Sequence, residues 1–219
     1  MIKFVLASQS PRRQVLLKYL NIPFETVPAH ADEDSVTVTS PQQNVQETAV
    51  LKADTISSNW QAQSGMHEIL IAADTTVAFA GQMLNKPQDA ADAERMLQMM
   101  CNQQHEVHTG YVIRDLSNGH TAVGVSTAVV TMRDYTQQEI IDYIATGDPM
   151  DKAGAYAIQH QGFRPVAQLA GCFLNVMGLP LCELILALQS FGITVDFAET
   201  AVYQEHQHYP CPTYPKIKH

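Results

Sequence analysis

The chain has 219 residues, 46% of them hydrophobic, and a formal net charge of −9 at pH 7. This length is enough for one domain with a substantial core and a cleft between two lobes. Because the chain is acidic overall, only a local cluster of Lys and Arg can hold a polyanion, so nucleic acid and membrane surfaces are poor candidate partners.

The cysteines indicate a reducing environment. They are widely spaced and form no CxxC pair, which favours free thiols in a cytoplasmic protein over a disulfide framework. The apolar run at residues 1–7 suits a buried strand and is too short for a signal sequence or a membrane span. We interpret all four cysteines as structural or incidental: Cys101, Cys172, Cys182 and Cys211.

The first half of the chain predicts alternating strands and helices. Ser10-Pro11 and Ser40-Pro41 each supply an N-cap followed by Pro at the first helical position. The apolar run at 69–73 is typical of a central strand and is predicted to end at Asp74. In order, we predict a strand at 2–7, a helix at 10–21, a strand at 24–27, a loop at 28–39, a helix at 40–58, an exposed segment at 59–68 and the strand at 69–73.

The second half predicts a hairpin between helices. Apolar residues recur at helical spacing over 93–100, with Asp89 near the start of that helix, and again over 181–188. Residues 106–132 contain two runs rich in Val and Thr around a Ser-Asn-Gly turn, which predicts a hairpin. Thr136 and Glu139 form a capping box for a further helix. Because a hairpin excludes an all-parallel sheet, we predict an α/β fold with a mixed sheet flanked by helices.

The C-terminal tail, residues 199–219, is set apart from a domain of residues 1–198. It carries residue types that bind metals, but their spacing matches no common zinc pattern. The sequence therefore favours a mobile or loosely docked tail over a metal site. The potential metal ligands in the tail are His206, His208, Cys211 and His219.

A phosphate site is predicted at the first strand-to-helix turn. The segment Ser8-Gln9-Ser10-Pro11-Arg12-Arg13 places two hydroxyls and two guanidiniums where free backbone N–H groups and the helix dipole favour an anion. The alternative is a capped surface helix with two solvated arginines. Lys52, Lys86 and Lys152 offer further point charges for a triphosphate, although each alone also fits an ordinary surface lysine.

Two carboxylates are candidates for catalysis and metal binding. Asp74, predicted at a strand end, can bind a cation or accept a proton from water, and a cap for the next turn is the alternative. Glu33, in a run of three acids, offers an oxygen to a hard divalent ion, and a solvated acidic loop is the alternative. Cys101, His105 and His108 could together bind a metal, but histidines on a strand edge or in a core hydrogen-bond network are the more frequent case.

Six blocks of the sequence together carry a resemblance. They are Ser8-Gln9-Ser10-Pro11-Arg12-Arg13, Ala73-Asp74-Thr75, Asn85-Lys86-Pro87, His105-Glu106-Val107-His108-Thr109-Gly110, Asp151-Lys152-Ala153-Gly154-Ala155-Tyr156 and Gly178-Leu179-Pro180-Leu181. Their order and intervals closely resemble those of the motifs in the Maf family of nucleotide pyrophosphatases, and the resemblance extends from residue 4 to about residue 192. No P-loop sequence GxxxxGK[ST] occurs, so a P-loop nucleotide site is excluded.

The resemblance implies an elongated, two-lobed α/β fold of the inosine triphosphatase-like type. It also implies a nucleotide in the cleft, a divalent cation such as Mg²⁺ or Mn²⁺, a homodimer, and cleavage of a nucleoside triphosphate between the α and β phosphates. Asp74 is implied as the proton acceptor and, with Glu33, as a metal ligand. The residues implied at the phosphates are Ser8, Arg13, Lys52, Lys86 and Lys152.

Three positions resemble the family branch that acts on dTTP and UTP: Arg12, Thr75 and Gln159. The branch that acts on 7-methyl-GTP carries Trp, Gln and Glu there. Arg12 would repel the positively charged 7-methylguanine, and Gln159 can both donate to and accept from the edge of uracil or thymine. We therefore predict a dTTP/UTP pyrophosphatase; the alternatives are a 7-methyl-GTP pyrophosphatase, a general phosphomonoesterase and a non-catalytic nucleotide-binding regulator of cell division.

Overall fold

One sheet with helices on both faces forms the framework of the chain. The computed structural model describes residues 2–61, 66–207 and 209–217, and all elements below belong to these residues. The strands are β1 (Ile2–Leu6), β2 (Phe24–Thr26), β3 (His67–Phe79), β4 (Gln82–Leu84), β5 (Gln104–Asp115), β6 (Thr121–Met132) and β7 (Val166–Ala170). The helices are α1 (Pro11–Lys18), α2 (Pro41–Ser57), α3 (Ala90–Met100), α4 (Gln137–Ala145), α5 (Phe173–Met177), α6 (Leu181–Gln189), α7 (Glu199–Glu205) and α8 (Tyr214–Ile217).

The sheet is mixed, and the predicted α/β fold is confirmed. Its strand order is β2-β1-β3-β5-β6-β7, with β4 paired to β3. β1 runs parallel to β2 and β3, and every other pair is antiparallel. The predicted hairpin is formed by β5 and β6, so the antiparallel half of the sheet follows directly from the turn between them.

Successive side chains of the central strands enter two separate cores. Phe4 and Ile69 face a large core that includes residues of α1, α3, α5 and α6, whereas Val5 and Leu70 face a smaller core with α2. This alternation is the period of two expected of strands that are buried on both faces. Among the described residues, no helix is both long enough and apolar enough to span a bilayer.

The N-caps predicted at Ser10 and Thr136 are confirmed, whereas Ser40 stands before Pro41 at the start of α2 but its side chain caps no backbone N–H. The Ser10 hydroxyl accepts a hydrogen bond from the Arg13 N–H at 3.5 Å, and Asp89 accepts one from the Asp92 N–H at 2.8 Å. Both hydrogen bonds of the Thr136 capping box form in α4. Helix α3 buries the four residues that its spacing predicted, namely Ala93, Met96, Leu97 and Met100.

The predicted boundaries of the third strand are wrong at both ends. β3 begins inside the segment predicted to be exposed, and Glu68 is 2% exposed; residues 62–65 of that segment lie outside the described residues. Asp74 is not at a strand end, because β5 pairs with β3 continuously from Ile69 to Ala78. β1, however, stops opposite Ile71, so Asp74 lies beyond the end of its parallel neighbour, at an open edge of the sheet.

The tail is docked and not loose. Val202 of α7 is fully buried and Ile217 of α8 is 4% exposed, and both belong to the large core. The Tyr209 ring stacks on Phe173 with 5.7 Å between ring centroids. The tail therefore has its own apolar contacts with α5 and α6, which a scan for helical periodicity does not detect. His208 and His219 lie outside the described residues.

His105 is held in the core, as the more frequent alternative predicted. Its Nε2 atom lies 2.7 Å from the Tyr156 hydroxyl, and burial lowers its pKa from 6.5 to about 4. His108 instead contacts Thr127, with 2.9 Å between Nδ1 and Oγ1. The thiol of Cys101 points to the Tyr135 carbonyl at 3.4 Å, so these three residues do not converge on a metal.

The lowered pKa of His105 predicts that the free energy of unfolding falls as the pH is lowered. In the unfolded chain the imidazole takes up a proton near pH 6.5, whereas in the folded chain it does so near pH 4, so protons favour the unfolded chain between these values. Between pH 7 and pH 5, urea unfolding should show a loss of about 2 kcal/mol in wild type that His105→Gln lacks. An equal pH dependence in both proteins would contradict this role.

Candidate active site

A cleft of about 960 Å³ opens at the carboxyl end of β1. Its walls are the turn that enters α1, the loop at 28–39, the side of α2, the open edge of β3 and the segment 151–159. All ten residues proposed from the sequence line it: Ser8, Arg12, Arg13, Glu33, Lys52, Asp74, Thr75, Lys86, Lys152 and Gln159. The three lysines, which are far apart in sequence, therefore border one space.

Arg13 is fixed in the cleft wall. Its Nε donates to the Gly178 carbonyl at 2.7 Å, and its two terminal nitrogens donate to Ser8 Oγ at 3.2 Å and Thr75 Oγ1 at 3.1 Å. Burial lowers the pKa of the guanidinium, and the charge of Asp74 acts in the opposite direction. The alternative of two solvated surface arginines is thus wrong for Arg13, whose fork is oriented before any anion arrives.

Asp74 and Glu33 meet at a single ammonium group. Lys52 Nζ lies 2.7 Å from Asp74 Oδ1 and 3.1 Å from Glu33 Oε1. Lys52 is only 8% exposed and the Asp74 side chain 19% exposed, so the attraction between these two is weakly screened, whereas the Glu33 side chain is 54% exposed. The second oxygen of Asp74, Oδ2, makes no hydrogen bond or ion pair with a described residue.

Gly110 sets the position of the helix that carries Lys52. A Cβ atom at Gly110 would lie 2.3 Å from the Val45 carbonyl oxygen, so only glycine lets the backbone of α2 approach β5 this closely. Asp74 is the register partner of Gly110 on β3. The close approach therefore brings Lys52 of α2 within hydrogen-bond distance of the Asp74 carboxylate. In the sequence, only the Thr-Gly pair at 109–110 indicated this contact.

Behind Arg13 runs a chain of hydrogen bonds that sequence analysis missed. The Thr109 hydroxyl donates to the Asn175 carbonyl at 3.0 Å and lies 2.9 Å from the Thr75 hydroxyl. The Thr109 hydroxyl has one proton and donates it to the Asn175 backbone carbonyl. The hydrogen bond between the two threonines is therefore donated by Thr75, and the Thr75 oxygen accepts from Arg13. Asn175 had no sequence signal, because its role depends on packing between α5 and β5.

The opposite wall of the cleft carries paired and unpaired cations. Lys152 Nζ lies 3.0 Å from Asp148 Oδ1 and 2.6 Å from Asp151 Oδ1, and Arg12 reaches the other oxygen of Asp151 at 3.1 Å. Lys86 is exposed and has no ion pair with any residue in the described ranges. Of the cleft lysines, Lys86 is thus the one whose charge is not already balanced by a carboxylate.

Gln159 is half-buried on the rim of the cleft. Its backbone carbonyl accepts a weak hydrogen bond from Gln161 at 3.4 Å. Its side-chain amide makes no hydrogen bond to a residue that the structure describes. Both its donor and its acceptor are therefore available to a molecule in the cleft.

The fold and the cleft define a mixed α/β protein in which a large cleft combines fixed cations with carboxylates at an open sheet edge. Residues 3–191 match the family model described as Maf-like protein. The chain therefore belongs to the Maf family.

Curated relatives agree over most of the chain. A dTTP/UTP pyrophosphatase of Syntrophotalea carbinolica is 40% identical over 194 residues, which cover 89% of this chain and 87% of that protein. A dTTP/UTP pyrophosphatase of Bacillus cytotoxicus is 39% identical, covering 87% of this chain and 96% of the other. Among solved structures, the Staphylococcus aureus Ham1 protein is similar over 76% of this chain and 80% of its own, with a TM-score of 0.46 and 14% sequence identity.

Proposed function

We propose that this protein hydrolyses dTTP and UTP to the nucleoside monophosphate and pyrophosphate. The observation that carries the proposal is the pairing of a cation-lined cleft with Asp74, a carboxylate that has one oxygen held and one free. Relatives that cover nearly the whole family region are named dTTP/UTP pyrophosphatases, which supports the same activity and substrates.

Asp74 acts as the general base. The ion pair with Lys52 holds one carboxylate oxygen at 2.7 Å and so fixes the direction of the other. A carboxylate in this position accepts a proton from a water molecule as that water attacks the α phosphorus. The bond from that phosphorus to the bridging oxygen then breaks, and pyrophosphate leaves with the electron pair.

The cations bind and orient the phosphates. Arg13 presents a guanidinium that is already fixed by three hydrogen bonds, so little freedom is lost when it binds an anion. Lys86 contributes a charge that no described carboxylate balances and so stabilises negative charge on the leaving group as it develops, whereas Lys152 shares its charge between the phosphates, Asp148 and Asp151. Ser8 positions the guanidinium of Arg13 and lies at the helix N-terminus that favours anions.

A divalent cation, Mg²⁺ or Mn²⁺, fits the donors of this cleft. Glu33 and Asp74 would hold it, because both carboxylates already converge on one positive charge and hard cations prefer oxygen ligands. Two carboxylates leave most of the coordination shell to water and phosphate oxygens, which is the usual arrangement for Mg²⁺ with nucleotides. When bound, the metal would offset charge on the phosphates of the substrate.

Base selection is proposed to depend on Gln159 and Arg12 more than on Thr75. The Thr75 hydroxyl is engaged by Arg13 and Thr109, so replacing Thr75 would disturb the phosphate side of the cleft together with any contact to the base. Gln159 offers a free amide, and Arg12 keeps a positive charge beside Asp151. A test of base preference is therefore cleaner when Thr75 is left unchanged.

The experiment compares kcat/KM for dTTP, UTP, CTP and 7-methyl-GTP, with pyrophosphate release as the readout. Wild type should prefer dTTP and UTP, and Gln159→Glu should lose roughly 10- to 100-fold with both, because an ionised carboxylate cannot donate a hydrogen bond to a base carbonyl. Arg12→Trp/Gln159→Glu should move the preference toward 7-methyl-GTP. Gln161→Glu, the same change on an exposed neighbour outside the cleft, is the matched control.

The alternatives predict different products or none. Orthophosphate released before pyrophosphate would indicate a phosphomonoesterase, and a wild-type preference for 7-methyl-GTP would indicate the other branch of the family. Nucleotide binding without turnover would indicate a non-catalytic regulator. Each of these results would contradict the proposed function.

The same proposal includes a cytoplasmic location, a homodimer and no nucleic-acid partner. The cysteines of the described residues are free thiols, which supports a reducing compartment. The net charge of −9 disfavours binding to nucleic acid. Light scattering after size-exclusion chromatography tests the dimer directly.

A further inference from the structure

A cluster of three thiols and one imidazole lies where the tail meets the domain. Cys172 precedes α5, Cys182 lies in the first turn of α6, and His206 and Cys211 follow α7. All four are buried, with exposed fractions of 2%, 0%, 3% and 9%. Their ligand atoms all lie within 4.8 Å of one another. None of these four residues lines the active-site cleft, so the proposed function does not account for them.

The spacing of the atoms matches a tetrahedral metal site. The Nε2 atom of His206 lies 3.7 Å from Cys172 Sγ and 3.6 Å from Cys182 Sγ. A zinc ion with ordinary bond lengths to sulfur and nitrogen places such ligand atoms about 3.6 Å apart at the corners of a tetrahedron. These ligand atoms therefore surround a space of the size that one zinc ion needs.

The imidazole is held in the tautomer that a metal requires. His206 Nδ1 lies 2.6 Å from the Val202 carbonyl oxygen. A carbonyl oxygen only accepts, so Nδ1 carries the proton and the lone pair of Nε2 faces the sulfur atoms. A backbone carbonyl behind the outer nitrogen is the usual partner of a metal-bound histidine.

We propose that Cys172, Cys182, His206 and Cys211 bind one Zn²⁺ ion that fastens the tail to α5 and α6. On binding, each thiol releases its proton to solvent, so three thiolates and one neutral imidazole surround the ion and the site carries a net charge of −1. Four protein ligands that are all buried leave no open position for a substrate, which makes the site structural. Thiolate and imidazole select zinc over the hard ions that the carboxylates of the cleft suit.

A disulfide accounts for the cluster less well. Any pairing would leave one thiol unpaired beside a histidine whose ring nitrogen still faces it, and no disulfide joins the described cysteines.

The four ligands come from three separate segments of the chain, and successive ligands are 10, 24 and 5 positions apart. This spacing is why the sequence alone predicted no zinc site. His206 and Cys211 also lie beyond residues 3–191, so the site depends on the tail and not on the family region alone.

The test measures metal content and coordination in the full chain. Purified under reducing conditions, wild type should contain about one zinc per chain by elemental analysis. After removal of zinc with a chelator, Co²⁺ should produce the visible bands of a tetrahedral ion together with thiolate charge-transfer bands, and added Zn²⁺ should abolish them. These spectra report on the site whether or not the protein hydrolyses nucleotides.

The matched variants are Cys211→Ser and Cys101→Ser, which remove the same thiol inside and outside the cluster. Cys211→Ser should weaken zinc binding by more than the roughly 10- to 100-fold that loss of an outer hydrogen-bond partner costs. Cys101→Ser should keep one zinc and the wild-type cobalt spectrum. If Cys211→Ser does not fold, the wild-type cobalt spectrum still decides, because three thiolates give stronger charge-transfer absorption than any oxygen site.

Three results would overturn the proposal. The first is wild-type protein that holds no zinc and gives an octahedral cobalt spectrum. The second is equal zinc affinity in the two cysteine variants. The third is a disulfide among the three clustered cysteines in protein purified with thiols blocked, detected by mass spectrometry.

Discussion

Asp74→Asn is expected to lower kcat for dTTP by at least ~10²-fold, within the range that a positioned general base contributes. Asparagine keeps the shape of the side chain and can still accept the hydrogen bond from Lys52, but it loses the charge and the basic lone pair that remove a proton from water. Steady-state pyrophosphate release at saturating dTTP measures the effect. The melting temperature should change little, because Lys52 retains Glu33 as a partner.

Asp54→Asn is the matched control for this experiment. It removes an equal charge from α2, two positions from Lys52, where the exposed Asp54 pairs with the half-buried Arg114 at 2.7 Å. Such a pair contributes little to stability, so activity should be near wild type. Near-normal turnover in Asp74→Asn would remove Asp74 from the mechanism, and full activity in EDTA would remove the divalent cation.

Arg13→Ala and Lys86→Ala are expected to lower kcat/KM by about 2 to 4 kcal/mol each, the range found when a group that stabilises developing charge is removed. Their effects on folding should differ. Arg13→Ala leaves the Gly178 carbonyl and the Thr75 hydroxyl without a donor, which costs on the order of 1–3 kcal/mol of stability, whereas the Ser8 hydroxyl still accepts from the Ser10 N–H. Lys86 is exposed and unpaired among the described residues, so its removal should leave the melting temperature unchanged.

Lys18→Ala, an exposed lysine at the end of α1, controls for loss of charge near the same helix. Both the kinetics and the melting temperature of this control should match wild type. Unchanged kinetics in both cleft variants would contradict a phosphate site at this turn. A fall in melting temperature without any kinetic effect in Arg13→Ala would mean that Arg13 only supports the fold.

The sequence predicted those parts of the fold that are decided by neighbouring residues. Ser10, Asp89 and the Thr136 capping box mark helix starts because each cap bonds to a backbone group three positions away. The continuation of β3 beyond Asp74 could not be predicted in this way, because residues 74–78 pair with residues of β5 that lie 28 to 36 positions later in the chain.

The candidate site, like the fold, could be predicted only in part. Its residue types were visible in short blocks, but the distances between them depend on contacts between distant segments. Arg13 meets Thr75 across 62 positions, and Lys52 meets Asp74 only because Gly110 admits α2. The thiol cluster was missed for the same reason, since its four ligands come together only after α5, α6 and the tail have packed.

Lys52 has a consequence for the order in which ligands enter the cleft. Its ammonium lies 2.7 Å from Asp74 and 3.1 Å from Glu33 and acts as an internal counter-ion for both carboxylates. A free divalent cation would have to compete with a positive charge that cannot diffuse away, which lowers its affinity for the empty protein. A nucleotide brings both the cation and negative phosphates that attract the lysine, so metal and nucleotide should bind with positive cooperativity, each raising the affinity of the other by the same factor.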